Sequence, residues 1–290
     1  MSRFRALQWG TLSRFAVPAL TVTLCLPLAA TPGDTIDDAL GRMYNFDFPA
    51  SHQVLDRYIA DHPQDPLPYA FRASAYLFFE LDRLNILQSD FFLDDNKIAD
   101  KKKKLEPDQA VREKFLKAVS DSEVRAQTAL ATNPDDRNAL FAMSISQGVA
   151  TDYMAFVEKH QISSLSVAKR SNAYAQRLLK LDPKFYDAYL TAGISEYMIG
   201  SLPFFVRWFV HFDNIDGSKK AGVERLLLVS REGRYFKPFS KILLATIALR
   251  EKRPQDARTY LGELAREYPS NPLFRRELAK VSSAIGVAAN

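Results

Sequence analysis

Four helical stretches of this chain end on a proline: Val54 to Pro63, Ala126 to Pro134, Ala175 to Pro183 and Tyr260 to Pro269. Proline has no amide hydrogen for the helical ladder and clashes with the turn before it, so each one fixes where a helix stops. After three of them a new apolar-periodic stretch opens within a few residues. Recurring helix–stop–helix units predict an all-α array of stacked repeats rather than a single-core enzyme.

The bulk numbers agree with a globular chain. Of 290 residues, 47% are hydrophobic and 25% charged, which excludes a wholly disordered or wholly membrane-embedded protein. Only 11 glycines are present, which disfavours Gly-rich nucleotide loops. The first 30 residues hold Arg3, Arg5 and Arg14 and no acid; beyond them 36 basic residues face 34 acidic ones. That near balance gives no reason to expect nucleic acid as a partner. A basic start to Arg14, the apolar run Phe15–Leu28 and the small residues Ala29-Ala30 predict a signal peptide over 1–30, cleaved before Thr31. Residues 31–290 would then form the helical repeat domain in the periplasm or outside the cell. The alternative is an uncleaved segment anchored in the inner membrane, although the run is short of the ~20 residues a span needs. Leu24 before Cys25 argues against lipidation. No other cysteine exists, which excludes disulfides, thiolate metal sites and cysteine nucleophiles from the remainder.

Counted from the stop prolines, Tyr189, Ala192, Gly193 and Tyr197 recur at spaced large and small positions, with Ser171, Ala175 and Leu178 ahead of Pro183. Tyr69, Ala73 and Tyr76 keep the same register after Pro63, and Leu140, Met143 and Ser144 keep it loosely after Pro134. In the last pair Leu244, Ala245, Ala248, Ala257 and Leu261 fit, while Lys241 replaces an aromatic. This pattern resembles the tetratricopeptide repeat, which implies a right-handed α-solenoid of helix-turn-helix units. The stops are 71, 49 and 86 residues apart instead of a uniform ~34, so insertions are expected, at Asp90–Pro107 and Ser201–Gly217. A last helix from Asn271-Pro272 to about Ile285 would cover the end of the stack. The segment Ala192–Leu228, with Ser201-Leu202-Pro203 between Gly193 and Gly217, is also similar to the tetratricopeptide family of the yeast inclusion-body clearance protein, and to exported bacterial repeat proteins. That likeness implies a helical repeat protein without known catalysis.

Signatures of chemistry are sparse. His52, His62, His160 and His211 show no zinc-ligand spacing and read as surface or cap residues. Asp213–Gly217 fails as a calcium loop, because the twelfth position would be Val223; Asp216 or Ser218 capping the next helix explains it. No nucleophile elbow or phosphate loop occurs. Lys101–Lys104 is flanked by Asp94, Asp95, Asp100, Glu106 and Asp108, which makes it a solvated loop before an anionic-lipid patch.

Two apolar features remain. Phe204, Phe205, Trp208, Phe209 and Phe212 share one face of a helix opened by Ser201, with Arg207 and His211 opposite. That face is either core on the concave side of the stack or a docking surface for a partner or membrane. The inner first-helix positions are Ala70, Ser74, Leu77 and Phe78, then Phe141, Ile145 and Val149, then Leu190, Ile194 and Met198. The carboxylate-clamp residues that the resemblance would imply are missing from them. Such a groove is either plugged by the chain itself or takes an apolar segment. The expectation is a non-catalytic interaction scaffold of the bacterial cell envelope, without cofactor or metal. It would bind a protein or peptide through Leu77, Phe78, Phe141, Ile145, Leu190, Ile194, Met198, Phe204 and Trp208. The alternative is a peripheral membrane or lipid-handling protein that uses the helix at 201–212.

Overall fold

The stop prolines open four turns with one hydrogen-bond pattern. The carbonyl before each proline accepts the amide three residues on: His62 from Asp65, Asn133 from Asp136, Asp182 from Phe185 and Tyr268 from Asn271. A short polar side chain then caps the next helix in three of them, Asp65 holding Leu67 N, Asp136 holding Ala139 N and Asn271 holding Leu273 N. The Tyr69 and Tyr189 hydroxyls each donate to the carbonyl of the proline six residues earlier, at 3.2 Å. Two sites with the same sequence register therefore carry the same contact.

The computed structural model describes residues 35–93, 106–201 and 217–288. The expected signal segment, the Lys101–Lys104 run and Phe204–Phe212 lie outside them. Among the described residues there are twelve α-helices and no strand: α1 Ile36–Tyr44, α2 Phe48–Asp61, α3 Leu67–Arg83, α4 Ser89–Leu93, α5 Gln109–Thr132, α6 Arg137–Asp152, α7 Gln161–Leu181, α8 Tyr189–Ser201, α9 Lys219–Glu232, α10 Lys237–Arg250, α11 Pro254–Glu267 and α12 Pro272–Ala288. A π-helical turn, Tyr153–Val157, follows α6, and a 3-10 turn, Tyr186–Ala188, precedes α8. The helices pack mainly on their sequence neighbours, in the pairs α1/α2, α3/α5, α6/α7, α8/α9 and α10/α11, with α12 last. None of them is long and apolar enough to cross a membrane.

The irregular spacing of the stops has a simple cause. Two pairs fit between Pro183 and Pro269, because the turn from α9 to α10 closes on Gly233 without a proline. A side chain at Gly233 would stand 2.6 Å from the Val229 carbonyl and 3.1 Å from Asp187 Oδ1, so only glycine fits. At 201 the expectation is corrected. Ser201, expected to cap the start of the next helix, is the last residue of α8, its hydroxyl donating to Tyr197 O at 2.7 Å, and the aromatic stretch after it lies outside the described residues. Ser218 caps α9 through Ala221 N, as its sequence suggests.

Within-pair connections and between-pair turns differ in backbone chemistry. Among the described residues, each within-pair connection carries one left-handed residue: Phe46, Asn85, Lys159, Gly217 and Lys252. At Phe46, Asn85 and Lys252 the amide bonds close Schellman motifs, such as Ile86 N to Leu81 O and Arg253 N to Ala248 O. Both expected insertions fall in within-pair connections. Each return is tied to a buried glutamate: Asp108 N donates to Glu80 at 2.9 Å and Ser218 N to Glu196 at 3.1 Å. Arg83 and Arg225 supply the compensating charges that buried carboxylates need.

Small residues allow a close crossing between α8 and α9. A Cβ on Gly222 would stand 2.6 Å from Tyr197 N, and one on Gly193 would stand 3.1 Å from Gly222 O. In the last pair Lys241 holds the place of the missing aromatic by reaching Glu263 at 3.0 Å and Glu267 at 3.5 Å. The final helix does more than cover an end. Asn271 donates to Tyr44 O at 2.8 Å, Tyr44 and Tyr268 lie ring to ring at 5.4 Å, and Glu277 and Lys280 bond Ser89 and Asp90 of α4. The last helices thus meet the first.

Candidate functional site

One carboxylate organises the aromatic packing beside α3 and α6. The 3-10 turn before α8 buries Asp187, which is 5% exposed. It accepts the backbone amides of Arg234, Tyr235 and Phe236 at 2.9, 3.0 and 2.8 Å. Burial pushes the Asp187 carboxyl above its ordinary range, and the three amides pull it partly back. The amides in turn aim the Tyr235 and Phe236 rings inward. Tyr235 lies 5.2 Å from Phe71, and Phe236 lies 5.9 Å from Phe71 and 5.8 Å from Phe141. Phe239, the next ring in the row, meets Phe78 edge-on at 5.4 Å. This wedge fills the space in front of α3 and α6.

The sequence-derived candidates fall into that frame as follows. Leu77, Phe141, Ile145 and Leu190 are buried, at 5% exposure or less. They belong to three separate clusters rather than one strip: Phe141 and Ile145 pack with Phe71 and Leu140, Leu77 with Phe115 and Tyr153, and Leu190 with Leu226 and Leu244. Phe78 and Ile194 are half-buried against the first and third clusters. Met198 is 59% exposed in the last turn of α8. Phe204 and Trp208 lie outside the described residues. At the α3 and α6 positions, Tyr235, Phe236 and Phe239 pack against Phe71, Phe78 and Phe141.

Sequence reasoning missed Asp187, Tyr235 and Phe236. An aromatic doublet just after Gly233, between two helical stretches, was the available signal. Asp187 carried none, since its partners lie 47 to 49 positions away.

The imidazole of His52 lies 4.1 Å from the Tyr76 ring, and burial lowers it to about 4. His62 follows α2 as its C-cap and His160 precedes α7 as its N-cap. Burial pushes the Asp152 carboxyl, at the end of α6, up to about 7. Among the described residues no three His, Cys, Asp or Glu side chains converge as metal ligands would. Where α1, α11 and the α9–α10 turn meet, a cavity of about 380 Å³ opens between Tyr44, Tyr235 and Tyr268. No family model, curated protein or solved structure matches the chain.

Proposed function

We propose that this chain is a non-catalytic interaction scaffold of the tetratricopeptide type, a right-handed α-solenoid whose ends have curled into contact. It works in the bacterial envelope after loss of residues 1–30. The observation that carries this reading is the difference between the two kinds of connection, which an antiparallel stack would place on opposite edges. Between-pair turns are short and hydrogen-bonded. Among the described residues, within-pair connections hold the left-handed residues and the π-helical turn, and both expected insertions fall in them. Long connections on a rigid frame are where binding residues concentrate. With the inner face of α3 and α6 covered by Tyr235, Phe236 and Phe239, the partner engages this edge and the exposed end of α8 around Met198.

Site-specific photocrosslinking in the native envelope tests the assignment. A photoreactive residue at Leu93, Met198 or Lys252 is expected to capture one discrete partner, and one at Gln64, Asp135 or Lys184 is not. Equal capture from both edges, or none from the first, would refute it. A second reading, contact with a membrane surface, draws on Leu93 and Met198, apolar and 40% and 59% exposed at the points where the insertions leave. Co-sedimentation with phosphatidylglycerol vesicles separates it from a protein partner.

A further inference from the structure

Charge is unevenly divided along this chain. Residues 217–288 hold 15 Lys and Arg against 7 Asp and Glu, whereas residues 35–93 hold 4 against 9. The first helices take up part of the excess, Asp37 binding Arg234 at 2.6 Å and Asp90 binding Lys280 at 2.5 Å. The carboxylates of α11 and α12 are engaged as well, Asp256 with Arg253, Glu263 and Glu267 with Lys241, and Glu277 with Ser89. Arg258 and Arg266 on α11 and Arg275 on α12 are exposed, and among the described residues no carboxylate pairs with them. The two arginines of α11 stand ~12 Å apart along the helix. Beside the three arginines the residues are small: Thr259 and Gly262 on α11, then Ala279, Ser283 and Gly286 on α12. Over 217–288, Val287 near the end of α12 is the large apolar side chain left exposed, at 79%.

We propose that the exposed faces of α11 and α12, which pack on each other, dock on an anionic phospholipid bilayer with Arg258, Arg266 and Arg275 against lipid phosphates. A guanidinium pairs with phosphate through two parallel hydrogen bonds, and basic side chains are drawn to the negative potential of an anionic leaflet. A protein interface is held instead by bulky aromatic or apolar anchors in packed pockets. Small side chains among free arginines supply no such anchor, so this surface suits an occupant that attracts by charge spread over an area. The acidic excess of the first helices favours one orientation of the chain at such a leaflet. This surface is separate from the connections assigned to a protein partner.

The test uses the full chain with Cys25→Ser and a polarity-sensitive dye on one introduced cysteine, at Thr259→Cys on α11 or at Gln53→Cys on the exposed side of α2. Phosphatidylglycerol vesicles are expected to shift the emission at 259 and leave it unchanged at 53. Phosphatidylcholine vesicles are expected to shift neither, and about 0.5 M salt to abolish the effect. Arg258→Glu, Arg266→Glu and Arg275→Glu together are expected to weaken binding by about a hundredfold, and the same three changes to lysine to retain it. If the glutamate variant melts lower than the parent, the corresponding glutamine variant, expected to lose about tenfold, decides instead. Met198→Glu is expected to bind as the parent does, and a loss there would move the contact to the end of α8 and overturn the proposal. An equal shift at 53, an equal shift with phosphatidylcholine or parental affinity in the charge variants would overturn it too. No shift with either vesicle would likewise overturn it and leave this face to an acidic protein.

Discussion

Asp187 Oδ1 lies 2.8 Å from the backbone nitrogen of Phe236, 49 positions later in the chain. With the bonds to Arg234 and Tyr235, this one carboxylate fixes the turn that carries the aromatic wedge. A buried amide left without an acceptor costs ~1–3 kcal/mol, and three share this one. Asp187→Ala is expected to lower stability by about 3 kcal/mol or more in urea titration. Asp187→Asn, which keeps one oxygen acceptor, is expected to lose less. A loss under about 1 kcal/mol for the alanine variant would mean that the wedge holds its place by packing alone.

Two glycines at the α8–α9 crossing and one in α1 predict opposite outcomes. Gly222→Ala and Gly193→Leu push atoms into backbone 2.6 to 3.1 Å away and are expected to destabilise by about 1–3 kcal/mol, the leucine more. Gly41→Ala meets open space within α1 and is expected to stabilise by about 0.5–1 kcal/mol through helix propensity. Equal melting temperatures for all three would show that the crossing can relax.

Lys252 is exposed and sits at φ 58° in the Schellman turn after α10. A side chain with a Cβ costs roughly 1–2 kcal/mol in that region, and glycine does not bear the steric part. Lys252→Gly is expected to raise the denaturation midpoint, and Lys252→Ala to leave it unchanged or lower it. A lower midpoint for the glycine variant would indicate that the lysine contributes contacts outweighing the strain.

Asp152 gives the pH dependence a definite sign. Burial raises its carboxyl to about 7, far above an unfolded value of about 3.9. A carboxyl raised in this way contributes stability while protonated, fully below pH ~4, and the contribution fades as pH climbs through about 7. Asp152→Asn is therefore expected to flatten the fall in stability between pH 4 and 7 and to melt higher than the parent above pH 7. If the slope persists in the variant, another group is responsible.

Much of this fold was legible because proline, capping and small-residue rules act over a few residues. Pro63, Pro134, Pro183 and Pro269 end up in one kind of turn, and Tyr69 and Tyr189 in one kind of contact. Ser218 caps its helix as local chemistry requires. The candidate strip of Leu77, Phe141, Ile145 and Leu190 was legible only as a set of inward-facing positions. Periodicity states which face a residue lies on, and leaves open what stands opposite.

What stands opposite was decided by tertiary structure. Lys241 looked like a defect in the pattern until Glu263 and Glu267 came beside it from the next helix. Gly233 replaced a proline stop because Val229 and Asp187 leave no room for a side chain there. Asn271, Tyr268 and Arg234 bring the end of the array to Tyr44 and Asp37, about two hundred positions earlier. The sequence by itself determined where helices stop, which faces are apolar and that the class is all-helical, since those depend on backbone donors and side-chain spacing within a turn or two. Only the tertiary structure decided that Tyr235, Phe236 and Phe239 pack over α3 and α6 and that the last helices meet the first. Those outcomes depend on the summed angles of many helix crossings and on contacts between residues far apart in the chain.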